Sequence, residues 1–279
     1  MKVMGSQDPY FNDALRQLKS AGFITPFGDC RRLLKYSTGH GSIFNSEASL
    51  VDKHIRKIFK FSIRRRLSEE PISHIVGFRD FWKSKFLVNQ NVLDPRPETE
   101  LIVEKVITSA VSGASILELG TGTGCVAISI ALERPDLRIC ASEISLEALN
   151  IAKKNAKNLG AKVNFFYSDW FKEVRQSFDI IISNPPYLSV KDLTELPLGI
   201  KRFEPRIALD AGEFGLDCIQ IIASQLSDYL NPKGIGLFEI GVDQKEMVRD
   251  LFNAYGFHEI KFFLDLGKRE RVVCVKKDA

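Results

Sequence analysis

Ser115-Ile116-Leu117-Glu118-Leu119-Gly120-Thr121-Gly122-Thr123-Gly124 is an apolar run that ends in three alternating glycines. The run reads as a buried strand, and the glycines let the backbone turn sharply and approach a ligand before a helix opens at Cys125. A dinucleotide fingerprint needs a glycine or alanine three residues after Gly122, but Cys125 stands there and Gly124 falls one place early. The pattern is Gly-x-Gly-x-Gly, a nucleotide-type loop of a different kind. Glu118, two residues before the first glycine, is out of place against a pyrophosphate and suits a cationic, ammonium-bearing ligand.

Downstream of this loop, strand-like runs (138–142, 162–167, 178–183, 234–240, 260–264 and 271–275) alternate with helical ones (125–133, 145–159, 216–230 and 245–255). Alternation of this kind predicts an α/β fold with a mostly parallel sheet covered on both faces. The last two strands are joined by a short turn at Gly267, too short for a crossover helix, so they are expected to pair antiparallel.

Upstream, three amphipathic stretches at 11–21, 29–36 and 46–67, the last with Leu50, Ile55, Ile58 and Phe59 at near-helical spacing, predict a small helical domain over residues 1–70. Residues 71–98 switch to aromatic and β-branched pieces, Phe81-Trp82, Phe86-Leu87-Val88 and Val92-Leu93, separated by polar breaks at 83–85 and 89–91. They read as a hairpin linker to a catalytic domain over 99–279.

Composition excludes several classes. With 44% hydrophobic and 27% charged residues, 19 Gly and 11 Pro, the chain is neither disordered, collagen-like nor a disulfide scaffold. A net charge of +4 permits an acidic or RNA-rich partner without naming one. Five scattered cysteines (Cys30, Cys125, Cys140, Cys218, Cys274) form no C-x-x-C pair and point to a reducing, cytoplasmic setting. His40, His54, His74 and His258 lie apart, so no metal is expected. Residues 1–10 lack the apolar segment of a signal peptide, and no apolar stretch approaches the length of a membrane span, so no membrane association is expected.

Three further segments fall at the carboxyl ends of predicted strands, the edge at which open parallel sheets bind ligands. Glu143 closes the second strand, where a carboxylate accepts hydrogen bonds from ribose hydroxyls. Asp169-Trp170 follows the third, where a carboxylate reads an adenine edge and an indole covers its face. S-adenosylmethionine, with an ammonium, a sulfonium, a ribose and an adenine, fits this set as cofactor. Asn184-Pro185-Pro186-Tyr187 follows the very apolar fourth strand. Two prolines remove two donors and stiffen the loop, so the Asn184 side-chain carbonyl and the Pro185 carbonyl are free to accept both hydrogens of a planar NH2 group, with Tyr187 as a stacking face. Such a site favours methyl transfer to an amide or ring amino group.

These segments together resemble the peptide chain release factor N5-glutamine methyltransferase family over nearly the whole chain. Pro71-Ile72-Ser73-His74-Ile75-Val76-Gly77 with Phe81-Trp82 is similar to its PI-x-Y-hydrophobic-x-G…FW linker. Leu93-Asp94-Pro95-Arg96-Pro97-Glu98-Thr99-Glu100 is similar to its L-I-P-R-P-E/D-T-E stretch. Ser168-Asp169-Trp170-Phe171, Arg202-Phe203-Glu204-Pro205 and Gly267-Lys268-Arg269-Glu270-Arg271 match later signatures. Asp94 and His74 depart from the family, which has an apolar residue and a Tyr there. The resemblance implies a helical substrate-recognition domain, a β-hairpin and a seven-stranded Rossmann-like S-adenosylmethionine methyltransferase domain. It implies as substrate the glutamine of the Gly-Gly-Gln motif of class 1 release factors. No direct nucleic acid is expected to be required, and a monomer is expected. Carried over by position, Gly120, Thr121, Gly122, Thr123 and Gly124 hold the methionine part of the cofactor, Glu143 the ribose, and Asp169 with Trp170 the adenine region, while Glu118 is expected to bind the cofactor as an acid facing its ammonium. Asn184 touches cofactor and substrate, while Asn184, Pro185, Pro186 and Tyr187 hold the glutamine amide, with Asn184, Pro185 and Tyr187 as the catalytic set.

Alternatives remain open at this level. The NPPY tetrapeptide is shared with N6-adenine DNA methyltransferases and with the ribosomal-protein glutamine methyltransferase, and a flipped adenine offers a similar NH2. A methyltransferase fold kept as a non-catalytic binding module is a third reading, and a redox role finds no flavin or haem ligand set. Arg96-Pro97-Glu98 forms either a lid or a helix start with Pro97 in first position. The basic run Lys53, Arg56, Lys57, Lys60, Arg64, Arg65 and Arg66 is either a solvated helix face or a docking surface.

Overall fold

A computed structural model of the chain describes residues 8–39 and 53–277. The first part of the predicted third helix, 46–52 with Leu50, lies outside the described residues. The chain divides into two compact units, Met1–Gly77 with Pro197–Phe203, and Phe78–Leu196 with Glu204–Ala279.

In the first unit, α1 (Pro9–Ser20) starts where the Asp8 carboxylate accepts the Tyr10 N–H at 2.7 Å and Pro9 takes the first helical position. Helices α2 (Pro26–Ser37), α3 (Lys53–Leu67) and α4 (Ile72–Val76) follow. Phe11, Leu18, Leu33, Phe59 and Ile63 meet in one core, so the near-helical apolar spacing has become a bundle face. Part of the basic run is internal structure: Arg66 pairs with buried Asp29 at 2.8 Å, Arg65 pairs with Glu70, and Arg56 and Lys60 lie over the Tyr10 ring.

The second unit opens with an antiparallel hairpin, β1 (Phe78–Phe81) and β2 (Ser84–Leu87), and a two-residue turn at Trp82-Lys83. The expected polar break at 83–85 is only that turn, because Ser84 and Lys85 pair within the ladder and Lys85 takes the exposed face beside buried Phe86. Val92 and Leu93 belong to a loop, not to a strand, and the family signature at 72–76 forms α4. A 3-10 turn, Pro97–Thr99, leads into α5 (Glu100–Ser109), so Pro97 does start a helical segment.

The remaining elements are β3 (Ser115–Leu119), α6 (Cys125–Glu133), β4 (Arg138–Glu143), α7 (Leu146–Leu159), β5 (Asn164–Tyr167), β6 (Phe178–Ser183) and α8 (Val190–Glu195). The short helix α9 (Leu198–Phe203) belongs to the first unit, where the Gly199 N–H donates to the Glu69 carboxylate at 2.9 Å. Then come α10 (Asp217–Tyr229), β7 (Leu230–Glu239), α11 (Lys245–Ala254), β8 (Glu259–Leu264) and β9 (Glu270–Lys276).

Among the described residues the main sheet has seven strands in the order β5-β4-β3-β6-β7-β9-β8. Pairing is parallel from β5 to β7, and β9 runs antiparallel to both β7 and β8. Alternate residues feed opposite faces: Ile180 and Ile182 pack in one core with Ile102 and Val106, and Ile181 packs in another with Ile222 and Phe252. Strand β7 begins at Leu230, earlier than its apolar pattern predicts, since Pro232 and Gly234 disguise it. The pairing with β6 absorbs them by a register shift between Phe178 and Ile180.

Candidate active site

Strand register builds the site. Leu119 pairs with Ser142 on one side and Ser183 on the other, and Ser183 pairs with Phe238. The residues that follow, Gly120, Glu143, Asn184 and Glu239, therefore stand in one row along the carboxyl edge. The order in which parallel strands are added reverses between β3 and β6, with β4 and β5 added on one side of β3 and β6 and β7 on the other, which makes this row a switch point where open α/β sheets bind ligands. Hydrogen bonds lock it, from Thr121 N–H to Ser142 O at 3.0 Å and from Ser183 Oγ to Leu119 O at 2.8 Å.

A cavity of about 520 Å³ opens over this row, within the size range of small-molecule sites. Gly120, Gly122, Glu143, Asp169, Trp170, Asn184, Pro185 and Pro186 line it, so the structure brings together eight residues singled out in the sequence. Val92, Leu93, Ile144 and Ile207 add apolar surface, and Pro205 to Ala208 with Asp210 form one wall. That wall is bonded to the segment after the tetrapeptide, through Leu188 N–H to Leu209 O at 3.1 Å and Ala211 N–H to Leu188 O at 3.0 Å.

Glu143 accepts the Gly122 N–H on Oε2 at 2.8 Å and the Ser145 N–H on Oε1 at 3.0 Å, leaving the other lone pairs for a ligand hydroxyl. Burial raises its carboxyl above the usual range against the pull of these backbone donors. Gly122 has φ +56°, and an added Cβ there would meet nothing within 4 Å, so the missing side chain leaves backbone open for close approach. Trp170 holds φ +49°, in the left-handed region, while Ser168 Oγ donates to its carbonyl at 2.8 Å. Asp169 is paired with Lys172 at 2.6 Å.

Four expected cofactor residues, Glu118, Thr121, Thr123 and Gly124, and one expected substrate residue, Tyr187, do not line the cavity. Glu118 is 4% exposed, and its Oε2 accepts the Thr121 hydroxyl and the Ala127 N–H, the latter at 3.1 Å. It ties the loop to the first turn of α6 through these two hydrogen bonds instead of facing a ligand ammonium. Thr123 supports the helix start, with its Oγ1 accepting the Cys125 N–H at 3.3 Å, and Gly124 supplies the φ +79° of the helix cap. Tyr187 does not line the cavity either. Arg271 covers its ring at 5.2 Å and donates to its hydroxyl at 2.9 Å, so that aromatic face is already used.

Comparison with known proteins identifies the arrangement. Residues 90–196 match the family model described as "Methyltransferase small domain". The chain is 44% identical over 216 residues to the release factor glutamine methyltransferase of Neisseria gonorrhoeae, covering 76% of this chain and 79% of that protein. It is 36% identical over 270 residues to the release factor glutamine methyltransferase of Caulobacter vibrioides, covering 94% of this chain and 93% of that protein. The chain belongs to the release factor glutamine methyltransferase family. It also spans about half, 55%, of the bifunctional methyltransferase of Rickettsia typhi, at 34% identity. Among solved structures, a methyltransferase from Pyrococcus furiosus shares the fold with a TM-score of 0.55 at 20% identity, covering 70% of this chain and 89% of that one. The Thermus thermophilus 16S rRNA N2 G1207 methyltransferase, solved with AdoMet and guanosine, does so at 0.51 and 16% identity, covering 72% and 49%.

In this member of the release factor glutamine methyltransferase family, sequence reasoning missed the groups behind the tetrapeptide. Asn184 Nδ2 donates to Thr99 Oγ1 at 3.1 Å, and Thr99 Oγ1 donates to Glu239 Oε2 at 2.6 Å. Arg271 donates to Glu239 Oε1 at 3.1 Å, and Tyr187 OH donates to the same oxygen at 3.3 Å. Gln244 Nε2 holds the Tyr187 carbonyl at 3.0 Å. Thr99 and Arg271 lie inside family signatures, but Glu239 and Gln244 carry no local signal. Arg96 also stands outside the cavity lining. Its guanidinium grips both oxygens of buried Glu204 at 2.6 and 2.7 Å, behind the wall that begins at Pro205. Asp94, where the family has an apolar residue, is buried between Arg79 at 3.5 Å and Arg96 at 3.8 Å, which explains the tolerated charge.

Among the described residues no group of three or more His, Cys, Asp or Glu is arranged to hold a metal, and no helix is long and apolar enough to cross a membrane.

Proposed function

We propose that the chain transfers a methyl group from S-adenosylmethionine to the side-chain amide nitrogen of the glutamine in the Gly-Gly-Gln motif of class 1 release factors. One observation carries this reading. A chain that matches the Caulobacter vibrioides release factor glutamine methyltransferase over 94% of its length has Asn184, Pro185 and Pro186 on the same cavity as Gly120, Gly122 and Glu143.

The lining fits the cofactor: open glycine backbone for the methionine part, the Glu143 carboxylate for the ribose, and Asp169 with Trp170 for the adenine. When bound, the cofactor supplies an activated methyl group. The protein's task is to orient and dehydrate a poor nucleophile, because an amide nitrogen has a delocalised lone pair. The Asn184 Oδ1 and the Pro185 carbonyl accept the two amide hydrogens, hold the nitrogen in line, and stabilise the positive charge that grows on it. No strong base is needed, since the proton becomes acidic once the nitrogen is alkylated. We assign residues 1–70 to release-factor recognition, 71–98 to a linker and 99–279 to methyl transfer.

The test incubates the purified protein and labelled cofactor with a release factor and, in parallel, with its Gly-Gly-Ala variant and with DNA. Label in the release factor alone is expected. Equal labelling of both release factors, or label only in DNA, overturns the assignment.

A further inference from the structure

The geometry points to Thr99, polarised by Glu239, as the positioning residue that decides which end of the Asn184 carboxamide faces the cavity. This inference rests on the reading of Asn184 as the amide acceptor. A carboxamide has a donor end and an acceptor end of nearly equal size, so its surroundings alone set its orientation. If the NH2 end faced the cavity, it would meet the hydrogens of the substrate amide, donor against donor.

The bonds behind Asn184 have a direction that begins at Arg271. A guanidinium only donates, so Glu239 Oε1 accepts from it at 3.1 Å. Glu239, 0% exposed, then accepts the one hydroxyl proton of Thr99 on Oε2 at 2.6 Å. With that proton committed, Thr99 Oγ1 is only an acceptor toward Asn184, and it receives Nδ2 at 3.1 Å. The reverse orientation would set Oδ1 against Thr99 Oγ1 with no proton between them. Oδ1 is thus the end left for the cavity, which Asn184 lines. Thr99 and Glu239 themselves stay outside its lining.

Two substitutions act on this direction without removing volume. Thr99→Val deletes the acceptor. Glu239→Gln keeps Oε1 toward Arg271 and turns an NH2 toward Thr99, which frees the Thr99 proton for Asn184 Oδ1 and favours the reversed carboxamide. Both are expected to lower kcat on the release factor about tenfold, the scale of one net hydrogen bond, with KM and calorimetric cofactor affinity within about twofold. Thr99→Ser is expected to restore kcat. In an Asn184→Ala background Thr99→Val should cost nothing more, since no carboxamide is left to orient. The side-chain NH2 resonances of Asn184 in 15N-labelled protein, identified by their loss in Asn184→Ala, report the orientation without any substrate. They are expected to shift in Thr99→Val and Glu239→Gln but not in Thr99→Ser. Unshifted resonances, unchanged kcat in both variants, or a multiplicative loss in the Asn184→Ala background would overturn the inference. Shifted resonances in a protein that labels no release factor would support the orientation and refute the proposed function instead.

Discussion

Gly122 and Glu143 are joined by a hydrogen bond of 2.8 Å from the glycine N–H to Oε2, so the loop after β3 is shaped by the carboxylate that ends β4. Because Ser145 N–H occupies Oε1 at 3.0 Å, Glu143→Gln must turn an NH2 toward one of two backbone donors. The mismatch costs about 1–3 kcal/mol. Cofactor affinity by calorimetry is expected to fall about ten- to hundredfold, while release-factor KM stays near wild type.

The Glu118 carboxyl titrates against its surroundings. Burial pushes it from 4.5 up to about 8, against the Thr121 hydroxyl and the Ala127 N–H. The folded chain then keeps this proton up to about pH 8, while the unfolded chain releases it near 4.5. Across that window the folded state binds more protons, so the contribution of Glu118 is full below the lower value and is lost as pH rises through the upper one. Urea unfolding from pH 5 to 9 should show wild type losing on the order of 3 kcal/mol relative to Glu118→Gln. Parallel curves for the two proteins would mean that Glu118 is ionised in the fold.

Gly122 and Gly124 are expected to separate function from stability. A Cβ on Gly124 would stand 2.8 Å from Ile128 Cδ1 and 3.2 Å from Ala152 Cβ, in a backbone with φ +79°. Gly124→Ala is expected to destabilise by about 2–3 kcal/mol in chemical denaturation. Gly122→Ala, with open space around it, should cost only the conformational strain of about 1–2 kcal/mol and should weaken cofactor binding more than Gly124→Ala does.

Asn184→Ala removes the proposed amide acceptor and leaves Glu143 and the glycine loop intact. Turnover on the release factor is expected to fall about a hundredfold or more, with cofactor affinity within about tenfold. Steady-state labelling and calorimetry on the same preparation check both, and unchanged turnover would remove Asn184 from the reaction.

Arg96→Ala would leave Glu204 buried without its partner, at a cost of about 2–4 kcal/mol. The double variant Arg96→Met with Glu204→Leu, which removes both charges, should recover most of that loss in thermal unfolding. Additive losses would show that the two residues act independently.

Much of this was legible locally. The run 115–119, the run 178–183 and the helix 125–133 were readable to the residue from apolar runs and glycine breaks, and the antiparallel end of the sheet followed from the short turn at Gly267. Strand β7 was readable only in part, because Pro232 breaks the local pattern while the partner strand accommodates it. The hairpin was found but not its register, since Lys85 looks like a loop residue until Phe86 is buried beside it.

The sequence by itself determined the kinds of groups at the edge of the sheet: a glycine loop, two carboxylates, an indole and a stiff Asn-Pro-Pro-Tyr turn. Their chemistry follows from residue type and nearest neighbours. Only the tertiary structure decided which of them face the cavity and what stands behind them. Glu118 lies in the last positions of β3 and Asn184 just after β6, yet one is consumed by a helix terminus and the other lines the cavity. Glu239 reaches Thr99 across 140 positions of sequence because Ser183 pairs with Phe238. Hydrophobic periodicity specifies that a strand has a buried face, but which strand lies beside it, and in what register, is set by long-range packing.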